Sequence, residues 1–161
     1  MELIHCNPWI RFADNMYFTG QRGPSKTYDS RMLYTLKGEA TLEMEGSTYR
    51  LHHGCAALFQ PGTKYCIQPK ESVTITVLDF DFTPDYSSRV EFLPPCPADS
   101  FRQDLSHAKA VFSDAPELNA PLFLEKAFFL EPVLQSIVLE FQNKHTFMFL
   151  VKIILSCLKE N

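Results

Sequence analysis

The sequence predicts a mainly β protein, in which a small β-barrel is followed by two helices. Three observations lead to this fold class. Short apolar runs alternate with turn residues between Ser30 and Phe82, a Pro-rich stretch follows, and helical apolar spacing appears only from Pro132 onward. Strands at such close spacing are typical of an all-β sandwich or barrel.

Length and composition fit one folded domain. A chain of 161 residues can bury one core but is short for two, and 45% hydrophobic with 21% charged residues is ordinary for a globular protein. We therefore divide a single unit into three parts. Residues 1–83 form the barrel core with an N-terminal arm, 84–129 a Pro-rich wrapping segment, and 130–161 a two-helix element.

The charge and the apolar pattern exclude several classes of function. A net charge of −4 leaves no cluster of Lys and Arg for duplex DNA to bind. No apolar run is long enough to span a membrane, and the first residues lack a secretory signal. The five cysteines are scattered without a CxxC pair, so we expect neither disulfides nor a zinc knuckle. We expect a cytoplasmic protein that has no membrane partner.

Six apolar runs predict the strands of the barrel, at residues 31–37, 40–44, 48–51, 56–59, 65–68 and 73–82. Gly38 separates the first two runs, and Pro61-Gly62 precedes the fifth, as tight turns favour. Residues 122–129 follow Pro121 and are compatible with one more strand or with the start of a helix.

Two helices are predicted after the Pro-rich stretch. The first begins at Pro132 and repeats apolar residues at helical spacing, namely Val133, Leu134, Ile137, Val138 and Phe141. The second has two apolar stripes, one formed by Phe147, Leu150, Val151, Ile154 and Leu158. A helix with two apolar stripes needs two partners. We expect the barrel to cover one stripe and a second copy of the chain to cover Phe147 to Leu158; complete burial inside its own domain is the alternative.

The stretch from Arg31 to Tyr65 carries the most specific pattern. An apolar strand ends in Gly38, a small hairpin follows, and Gly54 leads through a buried strand to Pro61-Gly62. The pattern resembles the N-terminal sensor domain of AraC/XylS-family transcription regulators. The resemblance implies a cupin barrel, also called a jelly roll or double-stranded β-helix, followed by an antiparallel two-helix hairpin. It further implies a small-molecule effector, a homodimer, and a helix-turn-helix DNA-binding domain, which we expect outside this chain.

Cupin enzymes hold a metal with two His and a Glu from one motif and a His from a second. The motif spacing places Arg31 at the Glu position and Tyr65 at the second-motif His position. The two earlier His positions fall on either Ser25 and Thr27 or Pro24 and Lys26. Because a guanidinium cannot be deprotonated and repels a divalent cation, we expect no metal, no cofactor and no catalytic residue.

The ligand site is predicted from strand alternation. Alternate residues share a face, so Arg31 should point into the barrel together with Leu33, Thr35 and Lys37. With Tyr65 they would offer charge-assisted hydrogen bonds and an aromatic face to a sugar or a small carboxylate. The alternative is that Arg31 and Lys37 end their strands with their charges in solvent.

Weaker signals concern three other residues. Trp9 belongs to the N-terminal arm, which by the resemblance can close over bound ligand, although an edge strand accounts for it equally well. Asp79 and Asp81 could form an acid/base pair, but with no His or Ser partner nearby we expect them to face solvent.

Two other functions stay open. One is a stand-alone metal-free cupin enzyme or binding protein acting on a sugar or a small carboxylate. The other is a dimerisation module without a ligand, whose barrel would be filled by Tyr34, Phe59 and Phe80.

Overall fold

The computed structural model describes residues 1–82, 91–143 and 154–157. Within them, the chain forms β1 (Trp9–Phe18), β2 (Arg22–Lys26), β3 (Ser30–Met44), β4 (Ser47–Leu51), β5 (Ala56–Phe59), β6 (Lys64–Asp81), β7 (Cys96–Pro97) and β8 (Leu122–Leu124), followed by helix α1 (Glu131–Gln142). All strand pairs are antiparallel. The predicted fold class is confirmed: a cupin-like β-barrel precedes C-terminal helical residues.

Two long strands organise the sheet. β3 and β6 pair along nearly their whole length, from Ser30 opposite Phe80 to Met44 opposite Tyr65. The free edge of β6 is covered by β1 and β2, and the free edge of β3 by β4 and β5. β7 extends the sheet beyond β2, and β8 extends it beyond β5. Each long strand therefore contributes to both halves of the barrel.

The predicted breaks within these two strands are wrong. Runs 31–37 and 40–44 form the single strand β3, and runs 65–68 and 73–82 form the single strand β6. Gly38 does not end a strand; its φ of +86° lies between two register shifts, where the paired strands bend. A bulge lets a strand bend without leaving its partner. At Gly38, where a turn was expected, the strand β3 therefore bends and continues.

Buried apolar side chains form two clusters, one on each face of the sheet. The inner cluster faces the barrel interior and includes Leu33, Leu42, Phe59, Ile67, Ile75 and Val77. The outer cluster includes Met32, Tyr34, Leu78 and Phe80 from the strands and Leu134, Ile137 and Val138 from α1. The second half of β6 is buried on both faces because the barrel lies on one side and α1 on the other.

The remaining segments cover the barrel. From Cys96 to Asn119 the chain forms β7 and three short 3-10 turns, Ala98–Ser100, Gln103–Leu105 and Pro116–Asn119, and it buries Phe112, Ala115 and Leu118 in the outer cluster. Residues 122–129 combine both alternatives, since strand β8 is followed by a 3-10 turn at Phe128–Leu130.

Helix α1 follows the apolar spacing that predicted it. Pro132 lies in its first turn, and the helix ends before Asn143. Of the second predicted helix, residues 154–157 are helical, and Ile154 is buried in the outer cluster of its own chain. Phe147, Leu150, Val151 and Leu158 lie outside the described residues. Among the described residues, no helix combines the length and the apolar character that crossing a bilayer requires.

The corner at Gly38 gives a test of the fold. A Cβ at this position would lie 2.1 Å from the carbonyl oxygen of Ser72, whereas a Cβ at Gly46, which also has positive φ, would meet nothing within 4 Å. Gly46→Ala should cost about 1 kcal/mol for the backbone conformation alone. Gly38→Ala should cost roughly 1–3 kcal/mol more, because the paired strand must move. Urea unfolding measures both, and equal costs would contradict the tight corner.

Candidate functional site

A cavity of about 610 Å³ opens into the barrel between β1, β2 and residues 92–95. Most of its wall is apolar and comes from Phe12, Met16, Leu33, Ile67, Val77 and Phe92. Its polar side chains are Tyr17, Gln21, Arg22, Ser25, Arg31 and Tyr65. The cavity therefore contains both residues that the motif spacing aligned with cupin metal ligands, Arg31 and Tyr65.

Arg31 is held inside the barrel by three hydrogen bonds. Its Nε donates to Oδ1 of Asp79 at 2.6 Å, and its Nη2 donates to Oδ2 of the same carboxylate at 2.7 Å. Its Nη1 donates to the hydroxyl of Tyr65 at 2.7 Å. Asp79 is 1% exposed and Arg31 is 6% exposed. A planar guanidinium matches a carboxylate in this two-bond geometry, and burial strengthens the attraction.

The contacts decide the protonation states of this triad. Burial alone would lower the pKa of Arg31, but the charge of Asp79 and the contact with Tyr65 outweigh burial and raise it. Burial raises the pKa of Tyr65, against the opposing effect of Arg31. At neutral pH the site therefore holds a neutral phenol beside a guanidinium whose charge is balanced by Asp79.

Asp79 is the residue of this site that the sequence analysis placed wrongly. It does not face solvent, because it lies directly opposite Arg31 in the β3–β6 pair, and opposite residues of a pair share a face. The signal was present in the alternation of β6, where Leu78 and Phe80 belong to the outer cluster, so that Asp79 between them must point inward. This alternation identifies the inward face of β6 only once residues 31–37 are known to pair with residues 73–82.

The structure brings some predicted ligand residues together and separates others. Arg31, Leu33 and Tyr65 line the cavity. Thr35 is buried but does not line it. Lys37 is exposed, because the register shift between Thr35 and Lys37 inserts Leu36 as an extra residue and places Lys37 opposite Thr74. A bulge of this kind exchanges the two faces of a strand.

Trp9 has the edge-strand position that was one of its two interpretations. It begins β1 opposite Asp81, is 42% exposed and does not line the cavity. Phe12, three residues further along β1, lines the cavity and stacks on Phe92 with ring centroids 4.9 Å apart. β1 thus contributes to the cavity wall through Phe12 and Met16.

The cupin metal position does not fit a metal ion here. Arg31 fills the place of the carboxylate ligand and offers only N–H donors, and Tyr65 fills the place of an imidazole with a phenol that retains its proton. Ser25 adds a hydroxyl opposite Tyr65, and Thr27 is buried. These residues do not provide the nitrogen and carboxylate ligands that transition metals require.

The three aromatic residues that could have filled the barrel, Tyr34, Phe59 and Phe80, are divided between the two clusters. Phe59 belongs to the inner cluster and packs on Tyr65 with ring centroids 5.0 Å apart. Tyr34 and Phe80 belong to the outer cluster and face α1 instead. Of these three residues only Phe59 lies inside the barrel, and it packs on Tyr65 without lining the cavity.

A second buried polar cluster contains Arg11, Asp29, Asp81 and His107. Arg11 Nε donates to Oδ2 of Asp81 at 2.6 Å, and the two nitrogens of His107 lie 3.4 Å from Asp29 Oδ1 and 3.5 Å from Asp81 Oδ1. Asp81, which was expected in solvent, is 4% exposed. The two carboxylates and the imidazole lie close enough for a metal ion. Arg11 already supplies positive charge to Asp81, so the cluster is explained as an ion-pair network.

A third polar contact ties the barrel to α1. The hydroxyl of Tyr34 donates to Oε2 of Glu131 at 2.6 Å, and Nε2 of His53 lies 2.8 Å from the same oxygen. The hydrogen bond from Tyr34, assisted by His53, lowers the pKa of Glu131 below its ordinary value of 4.5. This contact fixes the first turn of the helix to β3.

No protein-family model matches the sequence, and no curated protein sequence matches it. Among solved structures, the chain is similar to a cupin-2 domain containing protein from Shewanella frigidimarina, with 13% identity and a TM-score of 0.39, over 45% of this chain and 78% of that one. It is also similar to the oxalate decarboxylase of Bacillus subtilis, with 18% identity and a TM-score of 0.39, over 53% of this chain and 24% of that one.

The strand pairing itself defines the class of protein: a cupin-like barrel domain with one C-terminal helix described in full. Its particular feature is the buried triad in which Arg31 donates hydrogen bonds to both Asp79 and Tyr65.

The Arg31–Asp79 pair gives a prediction about stability. Asp79→Ala should lower the free energy of unfolding by about 3–5 kcal/mol, because it leaves a guanidinium buried without its partner. The double variant Arg31→Met with Asp79→Leu removes both charges and should regain most of that loss. Urea unfolding of the wild type and both variants measures this. A cost below about 1 kcal/mol for Asp79→Ala would mean that the pair is not buried in solution.

The Glu131 contact gives a prediction about pH. A carboxyl group whose pKa is lowered by folding adds stability above its ordinary pKa, and this stability is lost as the pH falls through the lowered value. The stability difference between wild type and Glu131→Gln should therefore be present at neutral pH and shrink below pH 4.5. Tyr34→Phe, which removes the donor, should show the same dependence. A difference that grows on acidification would contradict the assignment.

Proposed function

We propose that this chain is the effector-binding and dimerisation domain of an AraC-type transcription regulator, and that it is not an enzyme. The observation that carries the proposal is the open cavity at Arg31 and Tyr65, where metal-dependent cupins hold their metal. The resemblance of residues 31–65 to AraC/XylS sensor domains supplies the family. The effector is a small organic molecule that binds in the barrel without a metal.

The chemistry of the cavity wall favours binding over turnover. Among the described residues that line the cavity, none is a His, Cys, Asp or Glu, so the hydroxyl of Ser25 has no neighbouring base in the lining to activate it as a nucleophile. The volume of about 610 Å³ lies within the range of small-molecule sites. An apolar wall with a few hydrogen-bonding groups suits a ligand that is recognised and released unchanged.

The strands offer a route from the cavity to the helices. On β3, Leu33 lines the cavity, and its neighbour Tyr34 holds Glu131 of α1. On β6, Val77 lines the cavity, and its neighbour Thr76 accepts a hydrogen bond from Gln135 of α1. A ligand that shifts either strand would therefore change how α1 is held, and differential affinity for two arrangements would shift their populations.

The partners follow from this role. A homodimer would form through the second predicted helix, on Phe147, Leu150, Val151, Ile154 and Leu158; burial of Ile154 within its own chain leaves the other four as the residues to test. DNA would be bound by a helix-turn-helix domain outside this chain. With a net charge of −4, these residues would contribute dimerisation and sensing only.

A thermal-shift screen against sugars, small carboxylates, neutral carbonyl compounds and divalent metals tests the effector site. A true effector at a hundred times its Kd should raise Tm by roughly 5–10 °C, because it binds the folded state alone. Met16→Trp places a large ring in the cavity wall and should abolish the shift. Ile4→Trp, the same new side chain at a 71% exposed position, should leave it unchanged.

The competing outcomes are distinct. A metal-specific shift reversed by chelator, or turnover of a ligand, would favour a cupin enzyme over a sensor. Fusion of the chain to a DNA-binding domain that represses only as a dimer tests dimerisation directly. Repression that depends on Leu150, and that the effector changes, is the expected result; no repression would oppose the regulator.

A further inference from the structure

We propose that the inner end of the cavity is a carbonyl-binding site, in which the hydroxyl of Tyr65 and the guanidinium of Arg31 converge on an uncharged acceptor oxygen of an otherwise apolar ligand. The inference rests on the proposed function, since it assigns the chemical class of the effector. It replaces the broader expectation of a sugar or a small carboxylate.

The donors come from the geometry of the triad. Tyr65 accepts a hydrogen bond from Arg31 through its oxygen, so this contact does not use the phenol's own proton. Within the described part of the chain, the Tyr65 hydroxyl has no hydrogen bond to an acceptor. Arg31 donates one hydrogen from each of its three nitrogens, which leaves one further N–H on Nη1 and one on Nη2.

These donors face a wall with few acceptors. Arg31 and Tyr65 both line the cavity, with Nη1 and Oη only 2.7 Å apart. Ser25 lies opposite Tyr65 in the β2–β6 pair and can donate or accept, whereas Gln21 and Arg22 are exposed at the entrance. A ligand atom placed between the Tyr65 hydroxyl and the guanidinium must therefore accept hydrogen bonds, as the oxygen of a ketone, an ester, a lactone or an amide does.

Charge selects a neutral acceptor over a carboxylate. The positive charge of Arg31 is already balanced by Asp79, and both groups are buried. A ligand carboxylate on the remaining N–H groups would add a second negative charge beside Asp79 in a site of low dielectric, where like charges repel strongly. A carbonyl oxygen takes the same hydrogen bonds without this cost.

The rest of the wall describes the rest of the ligand. Phe12, Met16, Leu33, Ile67, Val77 and Phe92 contribute apolar surface, and Phe12 and Phe92 are stacked. Such a wall would leave most hydroxyl groups of a sugar without partners, which is costly. An apolar or aromatic body that carries one carbonyl group satisfies the wall and the donors together.

The test uses three naphthalene probes of nearly equal shape: 2-acetylnaphthalene, with a ketone; 2-naphthoate, with a carboxylate; and 2-isopropenylnaphthalene, in which CH2 replaces the ketone oxygen. Calorimetry on the full chain gives each Kd. The ketone should bind roughly tenfold or more tightly than the alkene, because two hydrogen bonds are lost in the alkene. It should also bind more tightly than the naphthoate.

Two variants address the donors and the charge separately. Tyr65→Phe keeps the ring that packs on Phe59 and removes only the hydroxyl, so it should weaken ketone binding roughly fivefold and leave alkene binding unchanged. Asp79→Asn leaves the charge of Arg31 unbalanced and should reverse the preference toward naphthoate. The infrared C=O stretch of bound 2-acetylnaphthalene should lie below its value in an apolar solvent and return toward it in Tyr65→Phe.

The outcomes separate this inference from the proposed function. Equal affinity for ketone and alkene, or tighter binding of naphthoate by the wild type, would overturn the carbonyl site. If no naphthalene binds but a sugar or a small carboxylate of the thermal-shift screen does, the carbonyl site fails and the sensor stands. If no organic compound binds, both fail. If Asp79→Asn does not fold, the Tyr65→Phe affinities and the infrared shift still decide.

Discussion

The buried pair of Arg31 and Asp79 constrains the rest of this barrel. It joins the two longest strands at directly opposite positions, with two hydrogen bonds between one guanidinium and one carboxylate. Taking either charge out of water alone would cost several kcal/mol, so each requires the other. The pair also sets the chemistry of the cavity, because it places a balanced charge there and orients N–H donors toward Tyr65.

The same two strands carry the site on one face and the helix contacts on the other. Alternation along β3 gives Arg31 and Leu33 to the cavity and Met32 and Tyr34 to the outer cluster. A change in the cavity is therefore one residue away from the hydrogen bond between Tyr34 and Glu131. Little intervening structure is needed to couple a ligand to α1, as the proposed sensor function requires.

The C-terminal end of β6 carries charged side chains although it is buried. Asp79 and Asp81 lie on one face of β6, and each is paired with an arginine, Arg31 and Arg11 respectively. His107 lies between Asp81 and Asp29 and brings the covering segment onto this end. Ion pairs thus replace apolar packing where covering segment and barrel meet, and pairing of each buried charge is what makes this arrangement tolerable.

The sequence by itself determined the mainly β fold class and the position of α1, because turn residues and apolar spacing are local. For Arg31, strand alternation left two positions open, inside the barrel or at a strand end in solvent. The position of Tyr65 followed from motif spacing. The continuity of β3 and β6, the partner of Arg31 and the exposure of Lys37 were decided only by tertiary structure. The physical reason is that register and bulges depend on the strand that pairs alongside, and a shift of one residue exchanges the faces on which every later side chain lies.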